Sequence, residues 1–255
     1  MRIFLAGATG VIGQRLAALL RDARHEVTGT TRNPAKGAML RALDITPIVV
    51  DVFESDAVAQ AVATVRPDVV IHQLTDLPSA PGTPGYPAAQ EANRRLRIEG
   101  TRNLMQAAKM AGVPRVVAQS IAFAYAPGEG AHGEDDPLDV AAEGVRQLTV
   151  QGIVALEREV LQAPGIAGVA LRYGYLYGPG TWYDVPPKPP SVHVDAAAYA
   201  ALLAVSKGAG IYNIAEDDGA VSSAKAGQEL GFDPAFRVSE RLVQKLQTFQ
   251  SISPR

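Results

Sequence analysis

The feature that most constrains the fold is a glycine-rich turn close to the start of the chain. Gly7, Gly10 and Gly13 come directly after the apolar run Arg2–Ala6, and they open a segment with apolar residues at helical spacing. In such a turn the first glycine permits the tight bend, the second lets backbone approach a pyrophosphate, and the third lets helix and strand pack closely. The helix N-terminus adds N–H donors and a positive dipole end. The turn therefore predicts a strand, a loop and a helix that together bind a dinucleotide.

Short apolar runs alternate with stretches of helical period along most of the chain, which is typical of βαβ units and a parallel sheet. The pattern predicts a doubly wound α/β sheet of about seven strands. The expected strands are Arg2–Ala6, Glu26–Thr30, Pro47–Val50, Val69–Gln73, Arg115–Gln119, Ala167–Arg172 and Gly210–Ile214. Helices are expected to begin near Val11, Pro34, Ser55, Ala88, Val145 and Asp195, with a further amphipathic helix and a frayed tail after Phe236. The proline-rich stretches Asp76–Pro87 and Gly178–Pro190 are expected to be loops, and Asp195 is expected to be a helix N-cap.

Composition narrows the classes of function. The 255 residues include 24 Lys and Arg against 26 Asp and Glu, so no basic field is present to hold nucleic acid or an anionic membrane. Cysteine is absent, which removes disulfides, thiolate metal sites and a cysteine nucleophile, and which suits a reducing cytoplasm. Nowhere do 18 apolar residues run together, so no membrane span is expected. We expect a cytoplasmic protein that binds a small-molecule substrate, without a nucleic-acid, membrane or metal partner.

Several motifs together carry a resemblance to a known superfamily. The glycines of the turn are spaced three apart, and Asn93 is followed by Gly100-Thr101-Arg102-Asn103-Leu104. From Met1 to about Ile214 the chain resembles short-chain dehydrogenases/reductases of the extended and atypical kinds, which include the NAD-dependent epimerase/dehydratase-like family. The resemblance implies a Rossmann fold and a homodimer. It implies one NAD(P)-binding domain over residues 1–255, with a reduced substrate lobe formed by about 174–195 and 215–255.

The cofactor is expected to be NADP(H), with NAD as the alternative. The second strand runs into Thr31 and Arg32, where NAD-specific proteins carry an acid for the ribose 2′-hydroxyl and where an arginine suits a 2′-phosphate. The turn and the resemblance imply the remaining contacts. These are Gly7, Thr9, Gly10, Val11, Ile12 and Gly13 at the pyrophosphate, Thr31 and Arg32 at the 2′-phosphate, Asp51 and Val52 at the adenine, and Leu74, Thr75 and Asn93 towards the nicotinamide.

The residues expected to perform catalysis depart from the superfamily's pattern. By resemblance, Ser120 matches the serine that hydrogen-bonds the substrate oxygen, and Tyr125 is a candidate acid. The usual acid is a tyrosine with a lysine four residues later, because that lysine and the oxidised nicotinamide lower the tyrosine pKa. Alignment puts Thr149 and Ile153 at these two places, and none of the eight tyrosines has a lysine four residues later.

Three functions stay open on these grounds. The favoured hypothesis is an NADP(H)-dependent oxidoreductase that acts on a small carbonyl, enone or imine-like substrate, with Ser120 and either Tyr125 or a tyrosine of the segment 173–177 assisting. The second is a sensor or scaffold that binds NADP(H) without chemistry. The third is a sugar-nucleotide epimerase or dehydratase, which is disfavoured because the segment Thr181–Val192 is too short to build the wall that such substrates need.

Overall fold

The centre of the protein is a parallel β-sheet. The computed structural model describes residues 1–252, with side chains described as far as residue 247. The strands are β1 (Arg2–Ala6), β2 (Glu26–Thr31), β3 (Thr46–Val49), β4 (Val69–His72), β5 (Arg115–Ile121), β6 (Ala167–Tyr173), β7 (Tyr175–Tyr177), β8 (Ser191–His193) and β9 (Gly210–Ile214). Seven of them form one sheet in the order β3-β2-β1-β4-β5-β6-β9, and every pairing in it is parallel.

This strand order determines where a ligand can bind. The chain moves outward from β1 to β2 and β3, then returns to the other side of β1 with β4 and continues to β9. The reversal between β1 and β4 leaves a crevice at the carboxyl ends of the strands, which is where doubly wound sheets bind ligands. The predicted doubly wound fold is therefore confirmed, and its expected strands agree with the observed ones to within two residues.

Helices cover both faces of the sheet. They are α1 (Val11–Asp22), α2 (Gly37–Ala42), α3 (Ser55–Val65), α4 (Tyr86–Arg95), α5 (Thr101–Met110), α6 (Gly144–Leu161), α7 (Val194–Leu203) and α8 (Glu240–Ile252). A π-helical turn, Leu96–Gly100, joins α4 to α5. Because side chains alternate along a strand, Ile3 and Leu5 pack in the cluster that includes α1 and α7, while Phe4 and Ala6 pack in the cluster that includes α3 and α5.

The proline-rich stretches and the C-terminus show where local patterns were less informative. Most of 76–87 is loop, but α4 begins at Tyr86 and not at Ala88, with Pro87 in its first turn, where a missing N–H costs nothing. The segment 178–190 is loop, and the residues on either side of it pair as β7 and β8 in a separate two-stranded sheet that the sequence did not predict. The helix expected after Phe236 is α8, and the end of the expected tail, 253–255, lies outside the described residues.

The expectation that Asp195 caps a helix was wrong. His193 is the N-cap of α7 and its ring accepts from the Asp195 N–H, so Asp195 stands inside the first turn. Its carboxylate instead accepts from Arg15 Nε at 2.6 Å, and the two side chains are only 3% and 2% exposed. Arg15 also donates to the carbonyl oxygen of Pro179 at 2.7 Å. This buried ion pair ties the helix behind the glycine turn to the segment that follows β7.

No helix among residues 1–252 is long and apolar enough to cross a membrane. The same part of the chain contains no group of three or more His, Asp or Glu side chains placed to hold a metal ion.

Candidate cofactor and substrate site

The glycine turn has the shape that its sequence predicts. Gly7 has φ of +87°, and a Cβ there would lie 2.6 Å from the carbonyl oxygen of Gln73. A Cβ at Gly13 would lie 2.0 Å from the Gly7 carbonyl oxygen, so these two glycines are required by the turn itself. A Cβ at Gly10 would come no closer than 3.3 Å to protein, and Gly10 is the N-cap of α1. Gly10 therefore leaves bare backbone for a ligand to approach.

A cleft of about 230 Å³ opens above this turn, at the carboxyl ends of β1, β2 and β4. Eight residues that the sequence assigned to the cofactor line it. They are Gly7, Thr9, Gly10, Thr31, Arg32, Val52, Leu74 and Thr75. The cleft also has an apolar wall that includes Val50, Val58, Leu96 and Leu104, which suits the flat face of an adenine.

The other five assigned residues lie outside the lining of the cleft. Val11, Ile12 and Gly13 belong to the first turn of α1, and Ile12 is buried in the core. The Asp51 carboxylate accepts from the Phe53 N–H at 3.0 Å, which shapes the loop after β3. Asn93 is fully buried and its Oδ1 accepts from the Asp76 N–H at 3.0 Å, so it holds the loop after β4 in place.

Two cations stand at the β2 end of the cleft. Arg32 is half exposed and its Nη2 lies 3.4 Å from Asp76 Oδ1, a long contact between solvated groups. Lys36, in the short 3₁₀ turn after Arg32, also lines the cleft and forms no ion pair with the described residues. Sequence reasoning missed Lys36, although a second cation four residues after Arg32 was a visible signal. Together they offer two positive charges to an anionic group.

The end of β4 is held by a neutral histidine. His72 is 1% exposed, and burial, with Arg97 as a smaller cause, lowers its pKa to about 4. Its Nδ1 accepts from the Leu74 N–H at 3.2 Å, so Nε2 carries the proton and donates to Thr101 Oγ1 at 3.0 Å. His72 therefore positions the backbone of Leu74, which lines the cleft.

Buried polar groups in the cleft test whether a dinucleotide fits. Gln73 lines the cleft, and its buried Oε1 has no hydrogen-bond partner among the described residues, while its Nε2 contacts Tyr173 Oη at 3.3 Å. An acceptor of this kind suits a hydroxyl or carboxamide donor on a bound ligand. With the bare backbone at Gly10 and the two cations at the far end, the residues present fit a dinucleotide.

Ser120 is part of a buried ionic network. Its hydroxyl donates to Glu157 Oε1 at 2.7 Å, and Arg172 donates to both oxygens of the same carboxylate, at 2.8 and 2.7 Å. All three side chains are at least 93% buried. Ser120 faces α6 at this point and does not line the cleft described above. The network fastens the ends of β5 and β6 to the middle of α6.

Tyr125 completes the same network. Its hydroxyl donates to Asn213 Oδ1 at 2.7 Å and accepts from Arg172 Nη1 at 2.8 Å. Burial raises the pKa of Tyr125, and Arg172 opposes that effect. The ring also stacks on His132, with centroids 4.9 Å apart. Both protein partners of this hydroxyl are thus buried groups of the strands β6 and β9.

The two places that alignment matched to the superfamily's tyrosine and lysine lie on α6. Thr149 donates to Gln90 Oε1 at 2.9 Å, across to α4. Ile153 is fully buried in an apolar cluster with Ile121 and Val150. Tyr86 lies near Gln90, and its pKa is raised by burial and by Tyr175.

Comparison with known proteins adds to this geometry. A profile of the NAD dependent epimerase/dehydratase family matches residues 3–204. The chain belongs to that family. Among curated relatives, the 3-diazoavenalumate denitrifying reductase of a Streptomyces species is 40% identical over 240 residues, which cover 86% of this chain and 77% of the relative. The 3-beta-hydroxysteroid dehydrogenase of Mycolicibacterium neoaurum is 25% identical over 70% of this chain, which spans about half (48%) of that relative's length.

Two solved structures agree with this chain in fold. A UDP-glucose 4-epimerase of Thermotoga maritima, solved with UDP-glucose, superposes with a TM-score of 0.75 over 99% of both chains at 17% identity. The UDP-glucose 4-epimerase of Thermus thermophilus, solved with NAD, superposes with a TM-score of 0.73 over 98% of this chain and 99% of that one at 18% identity. At such identities the likeness establishes the fold. The family match and the reductase relative identify the chain as an oxidoreductase-like protein of this NAD-dependent family.

Proposed function

We propose that this protein is an NADPH-dependent reductase that transfers a hydride to an electrophile without help from a tyrosine–lysine pair. The proposal rests on the two residues of α6 that occupy the places of the superfamily's tyrosine and lysine. Thr149 has no acidic proton at neutral pH, and Ile153 is sealed in an apolar cluster where a lysine would be a buried charge. A cleft that fits a dinucleotide is thus combined with two helix positions that hold neither the tyrosine nor the lysine of the superfamily's pattern.

The choice of NADPH over NADH rests on charge. Arg32 and Lys36 both line the β2 end of the cleft, and Asp76 is the carboxylate that reaches Arg32. A 2′-phosphate would compete successfully for Arg32, because a phosphate forms shorter and stronger charge-assisted hydrogen bonds than the present 3.4 Å contact. The guanidinium would then bind the phosphate, and Lys36 would add its charge from the adjacent turn.

The missing acid restricts which electrophiles react well. Reduction of a carbonyl produces an alkoxide that needs a proton in the transition state, so a positioned acid speeds it. An acceptor that already carries positive charge is neutralised by the hydride and needs no proton. The imine-like class in its cationic form therefore suits this site better than ketones or aldehydes do.

The Streptomyces relative extends this reasoning to a definite reaction. Its name describes the reductive removal of nitrogen from a diazo compound. Bound NADPH would supply the hydride. The new C–H bond would form with the electron pair of that hydride, the C–N bond would break with its pair retained by dinitrogen, and no proton would be consumed. We infer that this chain reduces a diazonium or related cationic acceptor in the same way.

Within this proposal the cofactor residues that line the cleft keep their assigned roles, and the two catalytic candidates change theirs. Gly7, Gly10 and Thr9 would contact the pyrophosphate, and Leu74 and Thr75 would face the nicotinamide half. Ser120 and Tyr125 would be positioning residues, because their hydroxyl protons are donated to Glu157 and Asn213 and not towards the cleft. Neither has to contact the substrate.

The test is a label-transfer assay. Purified protein is mixed with 3-carboxybenzenediazonium and NADPH deuterated at the transferred position of C4, and the benzoate formed is analysed by mass spectrometry. We expect enzyme-dependent benzoate with one deuterium, and no deuterium when unlabelled NADPH is used in D₂O. A ketone, an enone and an iminium ion are run in parallel, because a preference for the ketone would contradict the argument from the missing acid.

Matched variants separate the enzyme's contribution from direct reaction of NADPH with the diazonium ion. Gly10→Ala places a methyl group on the backbone that the pyrophosphate must approach, and Gly133→Ala places one in open space. The first should lose NADPH binding and turnover together, while the second should retain both. Tight NADPH binding without turnover of any acceptor would replace the reductase proposal by the sensor or scaffold hypothesis.

A further inference from the structure

A single ion pair joins the two rims of the cofactor cleft. Strands β2 and β4 pair with opposite edges of β1, so the residues that follow them stand on opposite sides of the glycine turn. Arg32 directly follows β2 and lines the cleft, whereas Asp76 lies in the loop after β4, just outside the lining. The contact between Arg32 Nη2 and Asp76 Oδ1, at 3.4 Å, spans the distance between these rims.

The two partners of this ion pair differ in how firmly they are held. The Asp76 N–H donates to Asn93 Oδ1 at 3.0 Å, and Asn93 is fully buried in α4, so the backbone at Asp76 is anchored. The Arg32 side chain is 51% exposed, and Asp76 is its one ionic partner among the described residues. The carboxylate is therefore the fixed member of the pair, and the guanidinium is the member that can turn towards a ligand.

This carboxylate affects the two forms of the cofactor differently. A 2′-phosphate carries about −1.5 to −2 charges at pH 7, and it has to take Arg32 from Asp76 and then remain near that carboxylate. Like charges about 6 Å apart at a solvated surface repel enough to lower an affinity about threefold per unit charge. NADH has a hydroxyl at this place and leaves the ion pair intact, and its pyrophosphate is further away, where salt screens the repulsion.

We propose that Asp76 is a specificity-determining residue of the cofactor cleft, which lowers the affinity for NADPH by pairing with Arg32 and leaves the affinity for NADH nearly unchanged. The inference rests on the proposed use of NADPH, since it concerns the same 2′-phosphate site. Lys36 lines the cleft and forms no ion pair with the described residues, so its attraction for the phosphate is not opposed in this way. The preference for NADPH is thus a balance that two cations favour and one carboxylate opposes.

The experiment measures dissociation constants by calorimetric titration with NADPH and, separately, with NADH. Asp76→Asn removes the charge and keeps the backbone N–H that Asn93 accepts from. It should tighten NADPH binding about threefold to tenfold and change NADH binding less than about twofold. Asp76→Glu retains the charge and should bind both cofactors like the wild type. The control is Asp44→Asn, because the Asp44 carboxylate also contacts an arginine, Arg21, at 3.4 Å but away from the cleft, and it should change neither affinity.

A double-mutant cycle tests whether Asp76 acts through Arg32. In an Arg32→Ala protein no guanidinium is left for which the carboxylate and the phosphate compete. There, Asp76→Asn should produce at most about half of the change in log Kd for NADPH that it produces in the wild type, the remainder being direct repulsion. An equal gain in the two backgrounds would overturn the inference.

The remaining outcomes distinguish this inference from the proposed function. A wild-type preference for NADPH that Asp76→Asn leaves unchanged would overturn the role of Asp76 and uphold the choice of cofactor. Weaker NADPH binding in Asp76→Asn would also overturn it, because the carboxylate would then orient Arg32 for the phosphate. The expected gain in NADPH affinity, found in a protein that reduces no acceptor, would uphold the role of Asp76 while refuting the proposed reduction.

Discussion

Replacement of Ser120 by alanine tests directly whether this serine acts on a substrate or on the fold. Its hydroxyl donates to Glu157 at 2.7 Å in a site where both side chains are at least 93% buried. A hydrogen bond to a charged group contributes about 1.5–3 kcal/mol to the free energy of unfolding. Arg172 would still bind both oxygens of Glu157 in the variant, so no charge is left unpaired and the loss should stay within that range.

The expected change in melting temperature follows from the size of the chain. For a protein of this length each kcal/mol lowers Tm by about 2–4 °C, so Ser120→Ala should melt about 3–12 °C below the wild type. The dissociation constant for NADPH and the kcat with an acceptor that the protein reduces should stay close to the wild-type values. Differential scanning fluorimetry, calorimetric titration with NADPH and steady-state kinetics measure the three quantities.

The exposed Ser206, whose side chain forms no hydrogen bond with the described residues, provides the control. Ser206→Ala should leave all three quantities unchanged. If Ser120→Ala had the same Tm as the wild type but a kcat at least tenfold lower, the reasoning from the Glu157 contact would be refuted. Ser120 would then be a catalytic residue, as the resemblance implies.

Three further predictions concern the cofactor, the pH dependence and the buried ion pair. Arg32→Ala should weaken the binding of NADPH about tenfold or more while barely affecting the binding of NADH. Equal losses of affinity for NADPH and NADH in calorimetric titrations would contradict the assignment of Arg32 to the 2′-phosphate. The pKa of His72 is about 4 in the folded protein and 6.5 in the unfolded chain. As the pH falls from 6.5 to 4, the unfolded chain therefore binds this proton more readily than the folded protein does. The contribution of His72 to the free energy of unfolding is complete above pH 6.5 and has fallen by about 3 kcal/mol at pH 4. Urea unfolding at pH 7.5 and 5 should show a smaller loss for His72→Gln than for the wild type, and an identical loss would exclude His72 as its source. Asp195→Asn should lower the free energy of unfolding by about 3–5 kcal/mol because it leaves Arg15 buried without its counterion. The control Asp22→Asn, at an exposed ion pair, should change the free energy of unfolding little. Similar small effects of both variants in urea unfolding would show that the buried pair does not stabilise the fold.

The fold and the glycine turn were predictable from sequence because their causes are local. The alternation of short apolar runs with helical periods locates β1 to β6 and β9, and the glycines at 7, 10 and 13 locate the turn. The small β7–β8 sheet was not predictable, since each strand has three residues and pairs across an irregular loop. No periodic signal can develop over so short a segment.

The residues that line the cleft were easier to place from the sequence than the partners of Ser120 and Tyr125. Cleft residues such as Gly10, Arg32 and Leu74 sit at the ends of strands, and the strand ends follow from the fold. Ser120 also ends a strand, but its partner Glu157 lies 37 residues further along the chain, and nothing near Ser120 in sequence shows that its hydroxyl is engaged.

By itself, the sequence determined the order of strands and helices, the position of the glycine turn and the absence of any tyrosine followed four residues later by a lysine. These properties depend on backbone preferences and on residue identity, which act over a few residues. The tertiary structure alone decided that Asp195 pairs with Arg15 across 180 residues and that Ser120 and Tyr125 join one ionic network. Partners of this kind are chosen when distant segments pack together, because the burial that makes such contacts strong exists only in the folded chain.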